Sequence, residues 1–135
     1  MRFLHPKGWA STSGFANGVA AEGRQIFVAG QVGWNVRQEI VDDDFVAQVE
    51  QALRNIVDIL AEADALPEHL VRLTWYITDK REYIARSGEV GEAYRRLVGR
   101  HFPAMTLVQV TALVDDRAKV EIEATAVVPT LPLTL

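Results

Sequence analysis

The sequence predicts an α+β fold in the order β-β-α-β-α-β-β, with a single mixed sheet and two helices on one of its faces. Three observations carry this expectation. Apolar residues recur at three- and four-residue steps in two stretches, Asp42 to Ala65 and Asp79 to Val98, which is the period of an amphipathic helix. They alternate at two-residue steps in Leu70 to Thr78, and two further extended runs follow, Ala104 to Leu113 and Lys119 to Val128. Helical and extended stretches are interleaved with no repeat and no internal linker, so a single domain over residues 1–135 accounts for the chain.

Taken in order, residues 1–13 are expected to form an N-terminal loop segment, and the loop reading extends through the Gly-, Ser- and Thr-rich stretch to Asn17. Val19 to Ala21 and Gln25 to Val32 flank Glu22-Gly23-Arg24, which suggests a hairpin turning at Gly23. Two glycines in Gly30-Gln31-Val32-Gly33 interrupt the second strand and would let it bend or approach a neighbour. In the first helix Phe45, Val49, Ala52, Leu53, Ile56, Val57 and Leu60 share one stripe, and Asp42-Asp43-Asp44 supplies a cap and negative charge at the positive end of the helix dipole. The same triplet could bind a cation, but consecutive side chains diverge there and no further oxygen ligand is evident.

The Leu70 to Thr78 strand places Val71, Leu73, Trp75 and Ile77 on one face. Asp79 with Glu82 reads as a capping box for the second helix, whose first half should be irregular because Gly88 and Gly91 weaken it. The last two strands are joined by Val114 to Arg117, and residues 129–135 read as a tail leaving the sheet. With both helices on one side, the opposite face is expected to carry Met105, Leu107 and Gln109 on one strand and Glu121 and Glu123 on its partner. Such a half-apolar, half-charged face predicts self-association.

Composition narrows the function classes. The 14 Lys and Arg against 18 Asp and Glu give a formal charge of −4, a poor footprint for nucleic acid. No cysteine is present, which removes thiolate nucleophiles, disulfides and Cys-based metal sites. The opening residues lack the apolar core of a signal peptide and no apolar run approaches ~18 residues, so a soluble, cytoplasmic protein without membrane contact is expected. Walker, His-Glu-x-x-His and nucleophile-elbow motifs are absent, and His5, His69 and His101 are too scattered to read as a metal site. The residues that stand out are Glu121 and Glu123, two apart on an otherwise apolar strand. A sheltered carboxylate there could orient water; the other reading is strand-face ion pairing with Arg72, Arg117 or Lys119.

Gly14-Phe15-Ala16-Asn17-Gly18, Ala29-Gly30-Gln31, Gln48-x-x-x-x-Leu53-x-Asn55, Thr74-Trp75-Tyr76-Ile77-Thr78-Asp79, Phe102-Pro103-Ala104 and Val120-Glu121-Ile122-Glu123-Ala124 occur in an order and spacing that resembles the RidA/YjgF family over residues 14 to 128. The resemblance implies a fold like the trimeric chorismate mutases, with a six-stranded sheet, a homotrimer and ligand clefts between subunits. It implies cofactor-independent hydrolysis of reactive enamines or imines of small metabolites, without metal, or an aminomuconate deaminase-type variant. The family's ribonuclease label fits the acidic chain least.

By position in these motifs, Glu121 is the water-positioning glutamate, and Phe15, Ala29, Gly30, Gly88, Met105 and Leu107 are the substrate-binding positions. Met105 stands where active members have an arginine that grips the substrate carboxylate, Phe15 where many have a tyrosine, and Gly88 where an asparagine is frequent. Leu107 replaces a small polar or thiol residue, and Trp34 would top the more apolar cleft. The alternative function is a non-catalytic trimer that binds a small ligand between subunits.

Overall fold

In the computed structural model, which describes residues 1–130, the first apolar stripe folds into helix α1 (Phe45–Glu62). Phe45, Val49, Ala52, Leu53, Ile56 and Leu60 are buried, and each large side chain contributes on the order of 1.5–3 kcal/mol by leaving water. Asp44 is the N-cap and accepts from Ala47 N at 3.0 Å. Asp42 accepts from Asp44 N at 2.8 Å, while Asp43 turns away to pair with Arg117 at 2.9 Å. The three carboxylates thus diverge, as the capping reading requires. Among the described residues no group of three or more His, Asp or Glu side chains could hold a metal ion.

One polar side chain, Gln48, lies inside this apolar stripe and is 1% exposed. Its amide ties three chain segments together: Nε2 donates to Asp42 O at 2.9 Å and Arg117 O at 3.0 Å, and Oε1 accepts from Lys119 N at 2.8 Å. Asn55, two turns on, donates to Trp34 O at 3.0 Å and is held by Gln51 at 2.8 Å. The helix therefore anchors the irregular segment after the first long strand. Gly33 lets that segment come close, since a Cβ there would lie 2.7 Å from Gln48 Cα.

The second helical stretch is two helices, α2 (Lys80–Ala85) and α3 (Ser87–Leu97). Asp79 caps α2, accepting from Arg81 N at 3.0 Å and Glu82 N at 3.2 Å. The expected irregularity falls at Arg86, whose guanidinium clasps Glu89 at 2.8 Å and reaches the α1 cap Asp44 at 2.6 Å. That pairing joins α1 to the start of α3.

The strands are β1 (Arg2–Leu4), β2 (Gly18–Ala20), β3 (Arg24–Val32), β4 (Leu70–Ile77), β5 (Ala104–Gln109) and β6 (Val120–Val128). A four-stranded mixed sheet of order β3-β6-β4-β5 carries the α+β fold, with β4 and β5 parallel and the other pairs antiparallel. The expected hairpin at Gly23 does not form. Val19 and Ala20 pair with Phe3 and Arg2 in a separate ribbon, and β3 pairs with β6. The sequence hides this because β1 and β2 are three residues each, largely exposed, and too short to show a period. The N-terminal segment expected to be loop thus contains a strand. Most of the expected C-terminal tail, residues 131–135, lies outside the described residues.

The register corrects a second expectation. β5 and β6 are not partners, because β4 lies between them. Leu73, Trp75 and Ile77 of β4 stand opposite Met105, Leu107 and Gln109 on one side and Ala124, Ile122 and Val120 on the other. Residues opposed in register share a face, so Met105 and Leu107 lie on the helix-covered face. The uncovered face carries Thr74, Tyr76, Thr106, Val108, Glu121 and Glu123. A parallel β5 beside β4 had no signal in the apolar pattern, which fixes alternation along a strand but not its neighbour. Val71 leaves the buried face because the pairing shifts between Leu70 and Arg72.

Candidate functional site

The site residues anticipated from the sequence fall into two groups on opposite faces of the sheet. The first group lines a cleft of about 690 Å³ between the sheet edge, α3 and the N-terminal segment. Ala16 bridges Ala104 in parallel, and its N–H donates to Pro103 O at 3.0 Å, which lays Gly14 and Phe15 along β5. Phe15, Met105 and Leu107 thereby meet in one cleft with Trp75, Tyr94 and Phe102. Tyr94 and Phe102 stack with centroids 5.3 Å apart, and Tyr94 donates to His101 O at 2.6 Å. Burial pushes the Tyr94 phenol well above its usual range, so it stays a neutral donor.

The second group surrounds Glu121. Between Val28 and Gln31 the register of β3 against β6 slips by one residue, a bulge at Ala29 and Gly30. A Cβ on Gly30 would stand 2.1 Å from Glu121 Oε2, so the carboxylate rests directly on the glycine backbone. Only a residue without a side chain permits that approach. Glu121 is half-buried and makes no hydrogen bond or ion pair among the described residues. Glu123 differs: Tyr76 donates to its Oε1 at 2.9 Å. That hydrogen bond, with some desolvation and the charges of Glu123 and Glu121, raises the Tyr76 phenol above its usual range. Of the ion-pairing partners considered for these glutamates, Arg117 pairs with Asp43 instead.

Two positions contribute no side-chain contact to either group. Ala29 is exposed on the bulge, and Gly88 is exposed at the start of α3 with no atom within 4 Å of where its Cβ would stand. Within one chain Trp34 does not line the Met105 cleft. Its Nε1 donates to Gln31 Oε1 at 3.2 Å, which holds the indole beside the end of β3. Residues the sequence reading passed over are Tyr76, which separates the roles of the two glutamates, and Arg95 and Arg100, which reach the cleft. The alternation of β4 put Tyr76 opposite the core, but only the register with β6 pairs it with Glu121.

The profile of the family described as "Endoribonuclease L-PSP" matches residues 7–128. The chain belongs to this family, the RidA/YjgF family. This RidA/YjgF member is 36% identical to Protein DfrA of Myxococcus xanthus over 106 residues, 78% of this chain and 77% of that protein. It is 33% identical to the 2-iminobutanoate/2-iminopropanoate deaminase of Mus musculus over 105 residues, 77% of this chain and 74% of that one. Among solved structures it is similar to YyfB of Yersinia pestis, described as a protein of unknown function of the conserved Rid protein family, with TM-score 0.83 and 31% identity over 94% of this chain and 98% of that one. No helix of the described residues is long and apolar enough to cross a membrane.

Proposed function

We propose that this RidA/YjgF member hydrolyses a reactive enamine or imine of a small metabolite, with Glu121 positioning the attacking water. The observation that carries this reading is the difference between the two glutamates. Glu123 is occupied by Tyr76, whereas Glu121 has no side-chain partner among the described residues, is half-buried and is held against the Gly30 bulge. A carboxylate so placed accepts a proton from water as it adds to the C=N carbon. That proton passes to nitrogen to give the carbinolamine, and the hydroxyl proton follows it as the C–N bond breaks, giving ketone and ammonia from imine and water. The balance needs no oxidant or further reactant. The similarity to an iminobutanoate deaminase supports this chemistry.

The site is completed between chains. Met105 and Glu121 project from opposite faces of one sheet, which supports a site in which the cleft of one copy receives Glu121 from another. Phe27, 73% exposed on the Glu121 face, supports burial of that face in a homotrimer. A second reading, a trimer that binds a ligand without converting it, is favoured by one observation: the residues lining the Met105 cleft include no carboxylate and no histidine. The deciding experiment supplies freshly generated 2-iminobutanoate and follows ammonia release. The hydrolase reading expects catalysed release that drops at least about a hundredfold in Glu121→Gln. Ligand-induced stabilisation with no catalysed release, or full turnover by Glu121→Gln, would overturn it.

A further inference from the structure

The charged groups that line the Met105 cleft are all cationic. Arg95 and Arg100 line it, no Asp or Glu does, and neither arginine has an ion pair or hydrogen bond among the described residues. The chain carries a net charge of −4, and Arg54, Arg86 and Arg96 of the helix layer are each paired with a carboxylate, as is not the case among the described residues for the exposed Arg81 of α2. Trp75, also in the wall, is 4% exposed, and its indole N–H has no acceptor among the described residues. A glycine weakens a helix interior, yet Gly91 sits in α3, where a Cβ would lie 3.1 Å from Arg95 Nη1. The missing side chain leaves the guanidinium room to fold back along the helix into the cleft. Apart from Ser13 and Ser87, the rest of the wall is mostly apolar or aromatic, with Phe15, Phe102, Met105 and Leu107 among it.

We infer that Arg95 and Arg100 form an anion subsite in this cleft, which takes a small organic acid with an apolar body and holds its carboxylate from the α3 side, away from position 105. Unpaired donors facing an apolar wall select a ligand that brings acceptor oxygens and hydrophobic surface together. A guanidinium offers a planar fork that matches a carboxylate. The inference deepens the hydrolase reading and rests on it only in taking this cleft as the substrate side.

Isothermal titration of the full chain with phenylacetate and its neutral isostere phenylacetamide tests the subsite. Phenylacetate is expected to bind at least about tenfold more tightly, the loss expected when a charge-assisted hydrogen bond is removed. Arg95→Gln and Arg100→Gln should each weaken phenylacetate about tenfold and leave phenylacetamide unchanged. Both side chains are exposed, so Tm should not move. Equal binding of acid and amide, indifference to both substitutions, or no binding of phenylacetate would overturn the inference. Acid-selective binding that depends on the arginines, without ammonia release from 2-iminobutanoate, would keep the subsite and remove the hydrolase reading. Ammonia release with KM unchanged in both variants would do the reverse.

Discussion

Replacing Gly30 with alanine is expected to separate the proposed catalysis from folding. The new Cβ would stand 2.1 Å from Glu121 Oε2 and 2.8 Å from Cδ. A carbon–oxygen contact is comfortable near ~3.3 Å, so the carboxylate oxygen must move by about 1.2 Å. A displacement of that size at a reacting group costs on the order of a hundredfold in rate. Folding should hardly notice. The atom in the way is the end of a flexible side chain, and turning it off its preferred rotamer costs roughly 0.5–1.5 kcal/mol. The unfolded chain gives back about 0.4–1 kcal/mol, because alanine has less freedom to lose than glycine. A Tm change under ~5 °C is expected for a chain of this size. The assay is ammonia release from 2-iminobutanoate alongside thermal unfolding. In a Glu121→Ala background, where the collision is gone, Gly30→Ala should cause no further loss of rate. Full turnover by the single variant, or an additive loss in the double variant, would refute the placement of Glu121 on Gly30 as functional.

The other expectations concern stability. Gln48→Leu leaves Lys119 N–H and the carbonyls of Asp42 and Arg117 without their partner, and at about 1–3 kcal/mol for a buried unsatisfied group the total loss should reach ~3 kcal/mol by urea unfolding; an unchanged midpoint would contradict the anchoring role. Gly33→Ala, whose Cβ meets Gln48 Cα at 2.7 Å, cannot be relieved by a side-chain rotation and should destabilise more than Gly30→Ala, a ranking that thermal unfolding checks. The Arg86 guanidinium and the Ala47 N–H hold the Asp44 carboxyl below its usual range. A depressed acid stabilises the fold above its ordinary pKa of about 4 and loses that contribution as pH falls through the lowered value. Asp44 is nearly half exposed, so the effect is at most ~1 kcal/mol, and Asp44→Asn should flatten the acid side of the stability profile by that much in urea titrations across pH 5 to ~2.

The helices were legible because their signal is local. The stripe from Phe45 to Leu60 and the caps at Asp44 and Asp79 are properties of neighbouring residues, and the structure reproduces them. Gln48 was not among the residues expected to be buried in that stripe, since its three partners are up to 71 residues away. Strand neighbours were not legible. The alternation in β4, β5 and β6 says which residues share a side of one strand, but the parallel pairing of β4 with β5 is decided by packing across the whole sheet. That is why Met105 and Glu121 were expected on one face and lie on two. The two glycines after Ala29 were read as a place where the chain bends, and the bulge is there; that it cradles Glu121 needed the register with β6.

The claim that joins these observations is that Glu121 of one chain serves the Met105 cleft of another, and subunit complementation measures it directly. Chains carrying Glu121→Gln keep an intact cleft, and chains carrying Met105→Glu keep Glu121 but place a repelling carboxylate in the cleft. Each variant alone should release no ammonia from 2-iminobutanoate above background. After the two are unfolded, mixed in equal amounts and refolded, random assembly pairs an intact cleft with an intact Glu121 at about a quarter of the sites. Recovery of roughly that fraction of native activity is the predicted result, and a mixture as inactive as its parents would contradict the shared site.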